Sequence, residues 1–214
     1  MKTYFESEAK FLKLDIKFPY KEMLQEAIQL RDRFVTHRGA ESKGWKSLTL
    51  HGFGEDKTGG WKTYGYSDPY KASEQMGWTP AALECPTTYN FFLNHFPCKK
   101  YGRLRFMLLE AGGYIGLHSD GNTRLLENIN MVMNNPKGCE WQWGDGYPNL
   151  EMSDGDVFTI NVSYHHRLVN TSNEDRYHII VSRHDSTDEW KEIINIAAMR
   201  ENISGKYIEL DTLP

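Results

Sequence analysis

The sequence predicts a mainly β fold with flanking helices, of the jelly-roll class. After about residue 102, short apolar or alternating runs follow one another, separated by turn residues, a pattern typical of strands in an antiparallel sandwich or barrel. Eight such runs fit the strand number of a jelly roll. They are RLRFMLLE, GGYIGLHSD, RLLENINMVMNN, CEWQWGDG, NLEM, DVFTINVS, HHRLVN and RYHIIVS.

The first 100 residues predict helices and a few strands before this β core. Residues 20–38 carry apolar side chains at helical spacing, which predicts a helix that Gly39 would end. The run WKSLTLHGF predicts a strand, and EDKTGG predicts a turn. Pro86, at the start of PTTYNFFLNHF, suits the first turn of another helix.

The last 30 residues predict a closing helix. Asp185 or Ser186 could cap it, and DEWKEIINIAAMRENI continues with helical periodicity until Gly205. We therefore expect one domain over 1–214. Its parts are an N-terminal helical and strand elaboration (1–100), the jelly-roll core (101–184), and a C-terminal helix and tail (185–214).

Charge and cysteine content disfavour several classes of protein. The chain has 214 residues, a net charge of −4 and a pI of about 6.1, which do not favour binding to nucleic acid or to a membrane surface. No apolar run approaches the roughly 20 residues that span a bilayer, and the N-terminus does not resemble a secretory signal. The three cysteines form no CxxC motif, so we expect no disulfide framework and a cytoplasmic protein.

The segment YIGLHSDG carries the sharpest chemical signal. His118 and Asp120 lie two residues apart, so on a strand they face the same side. His166 follows about four predicted strands later, where a jelly roll returns to the same mouth of the barrel. Two histidines and one carboxylate form the facial triad of non-haem iron(II) oxygenases, which leaves coordination positions open. A lone HxD also occurs in turns and surface ion pairs, so the motif alone does not establish a metal site.

Arg176 follows His166 across the turn TSNED. A hairpin return would place Arg176 beside the metal-bearing strand, but deeper in the barrel. A guanidinium there can bind a carboxylate bidentately. This fits the far carboxylate of 2-oxoglutarate, whose 2-oxo acid end would chelate iron. The alternative is a strand-end arginine paired with Glu174 or Asp175.

Other polar residues could complete the site. Asn128 and Asn130 share one face of a predicted strand and could bind the 2-oxoglutarate carboxylate or the substrate; a surface-facing polar stripe is the alternative. Arg124, at the start of that strand, could reach a substrate carboxylate or solvent. His178 shares a face with Arg176, and we favour a buried histidine bonded to a neighbour over a contact with the co-substrate.

Two further pairs have ambiguous roles. Arg103 and Arg105 alternate with apolar residues on the first predicted core strand, and one of them could face a substrate carboxylate. We take Arg105 as the candidate, with a rim or exterior arginine as the alternative. Trp141 and Trp143 share a face of the run CEWQWG, where core packing is favoured over a pocket wall.

Two segments together resemble the aspartyl/asparaginyl β-hydroxylase-like group of 2-oxoglutarate oxygenases, which includes proline cis-hydroxylase-type enzymes. They are LHSDGNTRLLENINMVMNNPKGCEW and GDVFTINVSYHHRLVNTSNEDRYHIIV, within residues 102–183. The resemblance rests on the combination of L-x-x-G-G-x-I-x-x-H-x-D, N-P-K-G-C, G-D and H-x-x-x-N-x-S-x-E-x-R. It implies a double-stranded β-helix, the cupin-like form of the jelly roll.

The resemblance also implies the ligand set. It assigns iron to His118, Asp120 and His166, since His166 rather than His165 lies four residues before the asparagine of the motif. It assigns 2-oxoglutarate to Arg176. Members often have an R-x-H pair on the strand after HxD, where this chain reads Leu126-Glu127-Asn128 or Asn128-Ile129-Asn130.

The implied function is that of an Fe(II)/2-oxoglutarate-dependent dioxygenase. It would use O2 to hydroxylate an amino acid or an amino-acid residue in a peptide. Asp120 favours hydroxylation over halogenation, and desaturation is an alternative reaction. The expected partner is thus a small-molecule or peptide substrate. Two alternatives remain, namely a cupin-like metalloenzyme that does not use 2-oxoglutarate and a non-catalytic jelly-roll binding module.

Overall fold

The computed structural model describes residues 3–37, 41–120, 125–126 and 128–209. Before the core lie five strands and four short helices, with 3-10 turns at Arg31–Arg33 and Trp61–Tyr64 and a π-helical turn at Phe91–His95. They are β1 (Thr3–Glu6), β2 (Phe11–Leu14), α1 (Tyr20–Gln29), β3 (Val35–Thr36), β4 (Ser42–Gly52), α2 (Pro69–Ser73), β5 (Gly77–Trp78), α3 (Pro80–Leu83) and α4 (Pro86–Asn90).

The second half of the chain supplies most of the main sheet and a closing helix. Its elements are β6 (Tyr101–His118), β7 (Leu125–Leu126), β8 (Asn128–Val132), β9 (Cys139–Trp143), β10 (Val157–Ile160), β11 (His166–Asn170), β12 (Arg176–Arg183), α5 (Asp188–Arg200) and β13 (Lys206–Glu209). The mainly β fold class is confirmed.

The long strand β6 organises the main sheet. Along one of its edges, β12 pairs with the first half of β6 and β11 pairs with the second half, while β4 runs antiparallel along the other edge. Outward from β12 come β8, β10 and β2, and outward from β11 comes β9. The sheet therefore curls into the two facing halves of a double-stranded β-helix. A separate small sheet has the order β13-β1-β7.

Glycines allow β6 to pass from one half of the fold to the other. Gly112 has a φ of +67°, and a Cβ on Gly113 would lie 2.7 Å from the backbone oxygens of Glu110 and Lys43. A side chain at 112 would be strained by the positive φ, and one at 113 would collide with these backbone oxygens. Because both residues are glycines, the strand can bend sharply here while β4 stays paired beside it. RLRFMLLE and GGYIGLHSD, predicted as two strands, are thus one bent strand.

The first helix is shorter than predicted. It ends at Gln29 instead of reaching residue 38, and Val35–Thr36 forms β3 against Ser47 and Lys46 of β4. Phe34 is buried, with its ring edge against Tyr177. Strand pairing and burial with distant residues therefore override the local helical periodicity. Gly39, the predicted helix end, lies outside the described residues.

Other boundaries also differ from the sequence-based predictions. The run NLEM contributes only a bridge between Leu150 and Trp141, and α5 ends at Arg200 rather than near Gly205. The cap of α5 is Thr187, whose hydroxyl accepts the Trp190 N–H at 3.1 Å. Asp185 and Ser186 are engaged elsewhere. The predicted strand WKSLTLHGF lies within and just beyond β4, and the helix beginning at Pro86 is present.

Two buried clusters flank the sheet. The larger cluster packs α1, α3, α4 and α5 against one face of the sheet. The smaller lies between the two halves of the β-helix and includes Leu109, Ile115, Trp141, Phe158 and Leu168. This second cluster surrounds the position where the predicted site residues meet. No helix within the described ranges is long and apolar enough to cross a bilayer.

Arg183 ties the chain ends to the core. It is 1% exposed and donates to the Asp185 and Thr3 carbonyls and to the Ser186 hydroxyl at 2.6–2.8 Å. The guanidinium also lies 5.0 Å from the ring centroid of Trp190 on α5. One cation therefore joins β12, the N-terminal strand and the closing helix through charge-assisted hydrogen bonds.

We predict that Arg183→Met lowers the free energy of unfolding by about 2–4 kcal/mol, because charged hydrogen bonds are lost and buried acceptors are left unpaired. Arg183→Lys should lose roughly half as much, since it keeps the charge. Urea unfolding measures both variants. Arg167→Met serves as the matched control, because Arg167 is exposed and its loss should cost about 0.5 kcal/mol or less. Equal stabilities of the Arg183→Met and Arg167→Met proteins would show this assignment to be wrong.

Candidate metal centre and adjoining cavity

Strand register places two histidines side by side. His118 ends β6, and His166 begins β11 directly opposite in the antiparallel ladder. Opposed residues of such a pair point to the same face, and the two ring centroids are 4.4 Å apart. The bend of β6 matters here, because only its second half pairs with β11.

Asp120 completes the group from a different position than predicted. It lies in a bend after the last residue of β6, rather than on the same strand face as His118. Its backbone N–H donates to the Val162 carbonyl at 2.8 Å, which fixes the chain there. One carboxylate oxygen lies 3.7 Å from His118 Nε2. The possible ligand atoms of His118, Asp120 and His166 all lie within 4.8 Å of one another.

Both histidines are held with Nε2 available to a metal. His118 Nδ1 donates to the Gly116 carbonyl at 2.8 Å, and His166 Nδ1 donates to the Tyr164 carbonyl at 2.9 Å. With the proton on Nδ1, the Nε2 lone pair of each ring is free for a ligand bond. Burial lowers the pKa of His166, which favours the neutral form that binds metals. Two imidazoles and one carboxylate therefore form a donor set that fits a divalent metal with open positions.

Tryptophans pack against the two histidines. The indole of Trp141 stacks on the His166 ring, with centroids 4.7 Å apart and an interplanar angle of 6°. Trp45, from β4, lies 6.4 Å from the His118 ring. The sequence favours core packing for Trp141 and Trp143, and both are buried, but Trp141 also lines the cavity. Trp45 was not predicted as a site residue.

A cavity of about 430 Å³, including its mouth, adjoins the three possible ligands. Residues of β6, β9 and β11 line one wall, and residues of β8 and β12 line the facing wall. Asn128 and Asn130 line the cavity, and the side-chain Nδ2 of Asn130 donates to Asn128 Oδ1 at 2.6 Å. The alternative of a surface-facing polar stripe is therefore wrong. The lining comprises Trp45, Ile115, His118, Asp120, Asn128, Asn130, Trp141, Val162, His166, Leu168, His178 and Ile180.

Arg176 lies behind this cavity and is 1% exposed. It opens β12 opposite Leu109 of β6. Among the described residues no ladder joins β11 to β12, so the predicted hairpin is wrong, and the two strands follow one another along the same edge of β6. The predicted alternative, pairing with Glu174 or Asp175, is also wrong: the Asp175 carboxylate pairs with Arg31 at 2.9 Å, and the hydrogen-bond partners of Arg176 do not include Glu174.

The hydrogen-bond partners of Arg176 are neutral. Its Nε donates to Asn135 Oδ1 at 3.0 Å, its Nη1 lies 2.8 Å from His178 Nδ1, and its Nη2 lies 3.3 Å from Met152 Sδ. No carboxylate in the described part of the chain hydrogen-bonds to this guanidinium. Burial lowers the pKa of Arg176, although a guanidinium stays protonated in proteins. The result is a buried positive charge next to a cavity whose lining includes several polar side chains.

His178 has two roles where the sequence favoured one. It is 4% exposed and bonded to Arg176, as the favoured interpretation predicted, but it also lines the cavity. Burial, followed by the nearby positive charge of Arg176, holds the pKa of His178 well below its usual range. The strand pattern placed Arg176 and His178 on one face, but it could not determine that this face is the cavity side.

Of the two arginines predicted to bind substrate, the structure describes Arg105. Arg105 is 7% exposed, so the exterior or rim alternative is wrong. It lies opposite Ile180, a cavity residue, and its Nη1 is 3.4 Å from Nε2 of His37. Its neighbour Arg103 donates to the Gly59 carbonyl at 2.9 Å instead. Arg124 lies outside the described residues.

Sequence comparison extends the resemblance beyond the β core. The model of the aspartyl/asparaginyl beta-hydroxylase family matches residues 15–185, which includes much of the N-terminal part, where the motifs suggest no relative. No curated protein matches the chain significantly.

Several solved structures are similar to this chain at low sequence identity. An oxidoreductase of the 2OG-Fe(II) oxygenase family from Burkholderia pseudomallei is 14% identical, with a TM-score of 0.51, covering 85% of this chain and 89% of that one. A Trichoplax adhaerens prolyl hydroxylase, solved with a hypoxia inducible factor peptide fragment, is 13% identical (TM-score 0.46; 86% and 87%). A Pseudomonas putida prolyl-4-hydroxylase is 10% identical (TM-score 0.42; 84% and 95%).

The lowered pKa values of buried histidines predict how metal-free stability depends on pH. Below about pH 6.5, the unfolded chain protonates each histidine, whereas folded His178 stays neutral. The unfolded state then binds more protons than the folded state. As the pH is lowered below about 6.5, the free energy of unfolding therefore falls by about 1.4 kcal/mol per pH unit for each such histidine. We expect His178→Asn to flatten this slope by about that amount. Urea unfolding with a chelator at pH 7.5, 6.5 and 5.5 measures it, and an unchanged slope in the variant would contradict the assignment.

Proposed function

Because the chain belongs to the aspartyl/asparaginyl beta-hydroxylase family, we propose that it is a non-haem Fe(II)/2-oxoglutarate-dependent dioxygenase. Its reaction is the hydroxylation of an amino acid or of an amino-acid residue in a peptide. The observation that carries this proposal is the gathering of His118, Asp120 and His166 beside a cavity backed by a buried arginine.

The metal half of the proposal rests on donor chemistry. His118 and His166 would bind Fe(II) through Nε2, and Asp120 through one carboxylate oxygen. Their second nitrogens are already bonded to backbone carbonyls, which fixes ring orientation before the metal arrives. When bound, the iron supplies O2 activation coupled to the conversion of 2-oxoglutarate to succinate and CO2.

The co-substrate half rests on charge. A dianionic 2-oxo acid would reach from the metal ligands on one wall to the positive charge of Arg176 behind the other. Asn128 and Asn130, which line that second wall, would donate to its carboxylate oxygens. A cupin-like enzyme without 2-oxoglutarate gives no reason to bury a guanidinium among neutral partners, because burying a charge is costly.

The substrate part of the proposal rests on two arginines. We assign Arg105 to a substrate carboxylate, since it is buried beside a cavity-lining residue, and we keep Arg124 as a second candidate. We further infer that the whole chain forms one oxygenase domain, because the N-terminal strands β2 and β4 pair directly with core strands. The three cysteines are free thiols, which supports a reducing, cytoplasmic location.

Adjacent histidines offer a matched test of the metal site. We predict that His166→Ala weakens Fe(II) or Co(II) binding at least about 100-fold, because even changes beyond the direct ligands cost 10–100-fold. His165→Ala should bind metal like the parent, since His165 is exposed and is not among the clustered ligands. Anaerobic metal titration followed by calorimetry measures both proteins. Equal loss in the two variants, or loss in neither, would rule out this metal site.

The substrate assignment has a separate test. We expect the wild-type protein with Fe(II), 2-oxoglutarate and O2 to release succinate when the right compound is present in a panel of amino acids and short peptides. Arg105→Leu should weaken the apparent affinity for that substrate, seen as a rise in its KM of about 10- to 100-fold, since a charged hydrogen bond is lost. The co-substrate KM should stay unchanged. Arg103→Leu is the control and should retain the substrate KM. A substrate KM unaffected by Arg105→Leu would remove Arg105 from the substrate site.

A further inference from the structure

We propose that Lys10, in the segment between β1 and β2, is a positioning residue for the metal centre. It acts through the β10–β11 loop, residues 161–165, which precedes His166. Because Lys10 would hold the proposed metal ligands in place, this role rests on the proposed function. Lys10 itself does not line the metal cavity, so it has no direct contact with a ligand bound there.

The β10–β11 loop touches two of the three proposed metal ligands. The Val162 carbonyl accepts the backbone N–H of Asp120 at 2.8 Å, and the Tyr164 carbonyl accepts Nδ1–H of His166 at 2.9 Å. The first contact places the residue that carries the carboxylate. The second fixes the imidazole so that its Nε2 is available. A shift of this loop would therefore move both ligands relative to His118.

Residues of the segment before β2 hold the same loop. At its start, the Asn161 N–H donates to the Lys10 carbonyl at 2.8 Å. Near its end, the Tyr164 hydroxyl donates to the Glu8 carbonyl at 2.9 Å. The Lys10 ammonium lies 3.9 Å from the centroid of the Tyr164 ring, within the range of a cation–π contact. Backbone and side-chain contacts from residues 8–10 thus fix the loop at two points.

The Lys10 ammonium is enclosed by further aromatic rings. It lies 5.1 Å from the ring centroid of Trp143 and 5.2 Å from that of Tyr147. It also pairs with Asp145 at 2.6 Å, and the lysine side chain is only 10% exposed. Cation–π contacts are stronger when the cation has lost its water. Trp143 lies directly opposite His166 in the β9–β11 ladder, so one cation contacts both the strand and the loop that flank this ligand.

The first test measures metal affinity. Anaerobic titration with Co(II), followed by its visible d–d bands, reports on the site without any turnover. We expect Lys10→Met to weaken Co(II) binding about 10-fold, the lower end of the loss seen when groups behind metal ligands are removed. Lys10→Arg keeps a cation that can lie over aromatic rings, so it should bind Co(II) within about threefold of the parent.

Lys13→Met is the matched control. Lys13 lies on the adjoining strand β2, pairs with Asp156 at 2.6 Å and lies 5.8 Å from the ring centroid of Phe158. It therefore has an ion pair and an aromatic neighbour, as Lys10 does, but these partners lie outside the β10–β11 loop. The Lys13→Met protein should bind Co(II) like the parent.

The second test reports on ligand geometry. In the metal-free parent at neutral pH, nitrogen-15 NMR of histidine-labelled protein should show His166 with its proton on Nδ1, as the Tyr164 carbonyl requires. Lys10→Met should give a mixture of the two tautomers, because that carbonyl is held less firmly. At Co(II) saturation, the visible bands of Lys10→Met should differ from those of the parent, whereas those of Lys13→Met should match.

Contrary outcomes separate the two proposals. Parent-like Co(II) affinity and bands in the Lys10→Met protein would overturn the role of Lys10 and leave the metal centre intact. Equal weakening by Lys10→Met and Lys13→Met would also overturn this role, because the loss would then follow from general destabilisation. Absence of Co(II) binding by the wild-type protein would overturn the proposed metal centre, and the role of Lys10 with it.

Discussion

Arg176 keeps a full positive charge inside the fold without a hydrogen-bonded carboxylate in the part of the chain described. Removing a charge from water costs several kcal/mol even after relaxation, so other groups must offset that cost. Asn135 and His178 accept its hydrogen bonds. Asn134 bonds to the backbone on both sides of Arg176, at the Asp175 carbonyl and the Tyr177 N–H. Asn134 and the first residue of the N-P-K-G-C motif, Asn135, thus hold the start of β12 in place.

The turn before β12 also holds the start of that strand in place. Asn170 is 1% exposed, and its amide donates to the carbonyls of Leu109, Glu110 and Glu174, while its Oδ1 accepts from Ser172. This explains the asparagine and serine of the H-x-x-x-N-x-S-x-E-x-R pattern as structural residues. They join the end of β11 to the start of β12 and to the bend of β6. The proposed metal ligand His166 and the buried Arg176 are therefore held at a fixed separation through shared backbone contacts.

The sequence could predict side-chain chemistry better than strand boundaries. The sequence predicts His118, Asp120 and His166 as a group because metal ligands need particular residue types at particular spacings, and the structure brings them together. Arg176 is buried, as the sequence predicts. The glycines at 112–113 indicate a turn locally, yet the continuous ladder with β4 keeps β6 in one piece. The end of α1 at Gln29 likewise depends on pairing with a strand that follows later. Such outcomes depend on contacts between distant segments, which periodicity does not contain.

The same limit explains which cavity residues escaped prediction. A period of two places Trp45, or His178, on a face of its strand, but it does not reveal which face borders the cavity.

The structure adds a polar reason for regarding that face as a ligand site. The indole N–H groups of Trp45 and Trp141 are buried and have no acceptor within the described ranges, and each such group costs about 1–3 kcal/mol. Both tryptophans line the cavity. An oxygen-rich ligand in the cavity would offer acceptors to these two indole N–H groups. Unpaired polar groups beside a cavity reduce stability there, and such a cost is typical of sites formed before their ligand arrives.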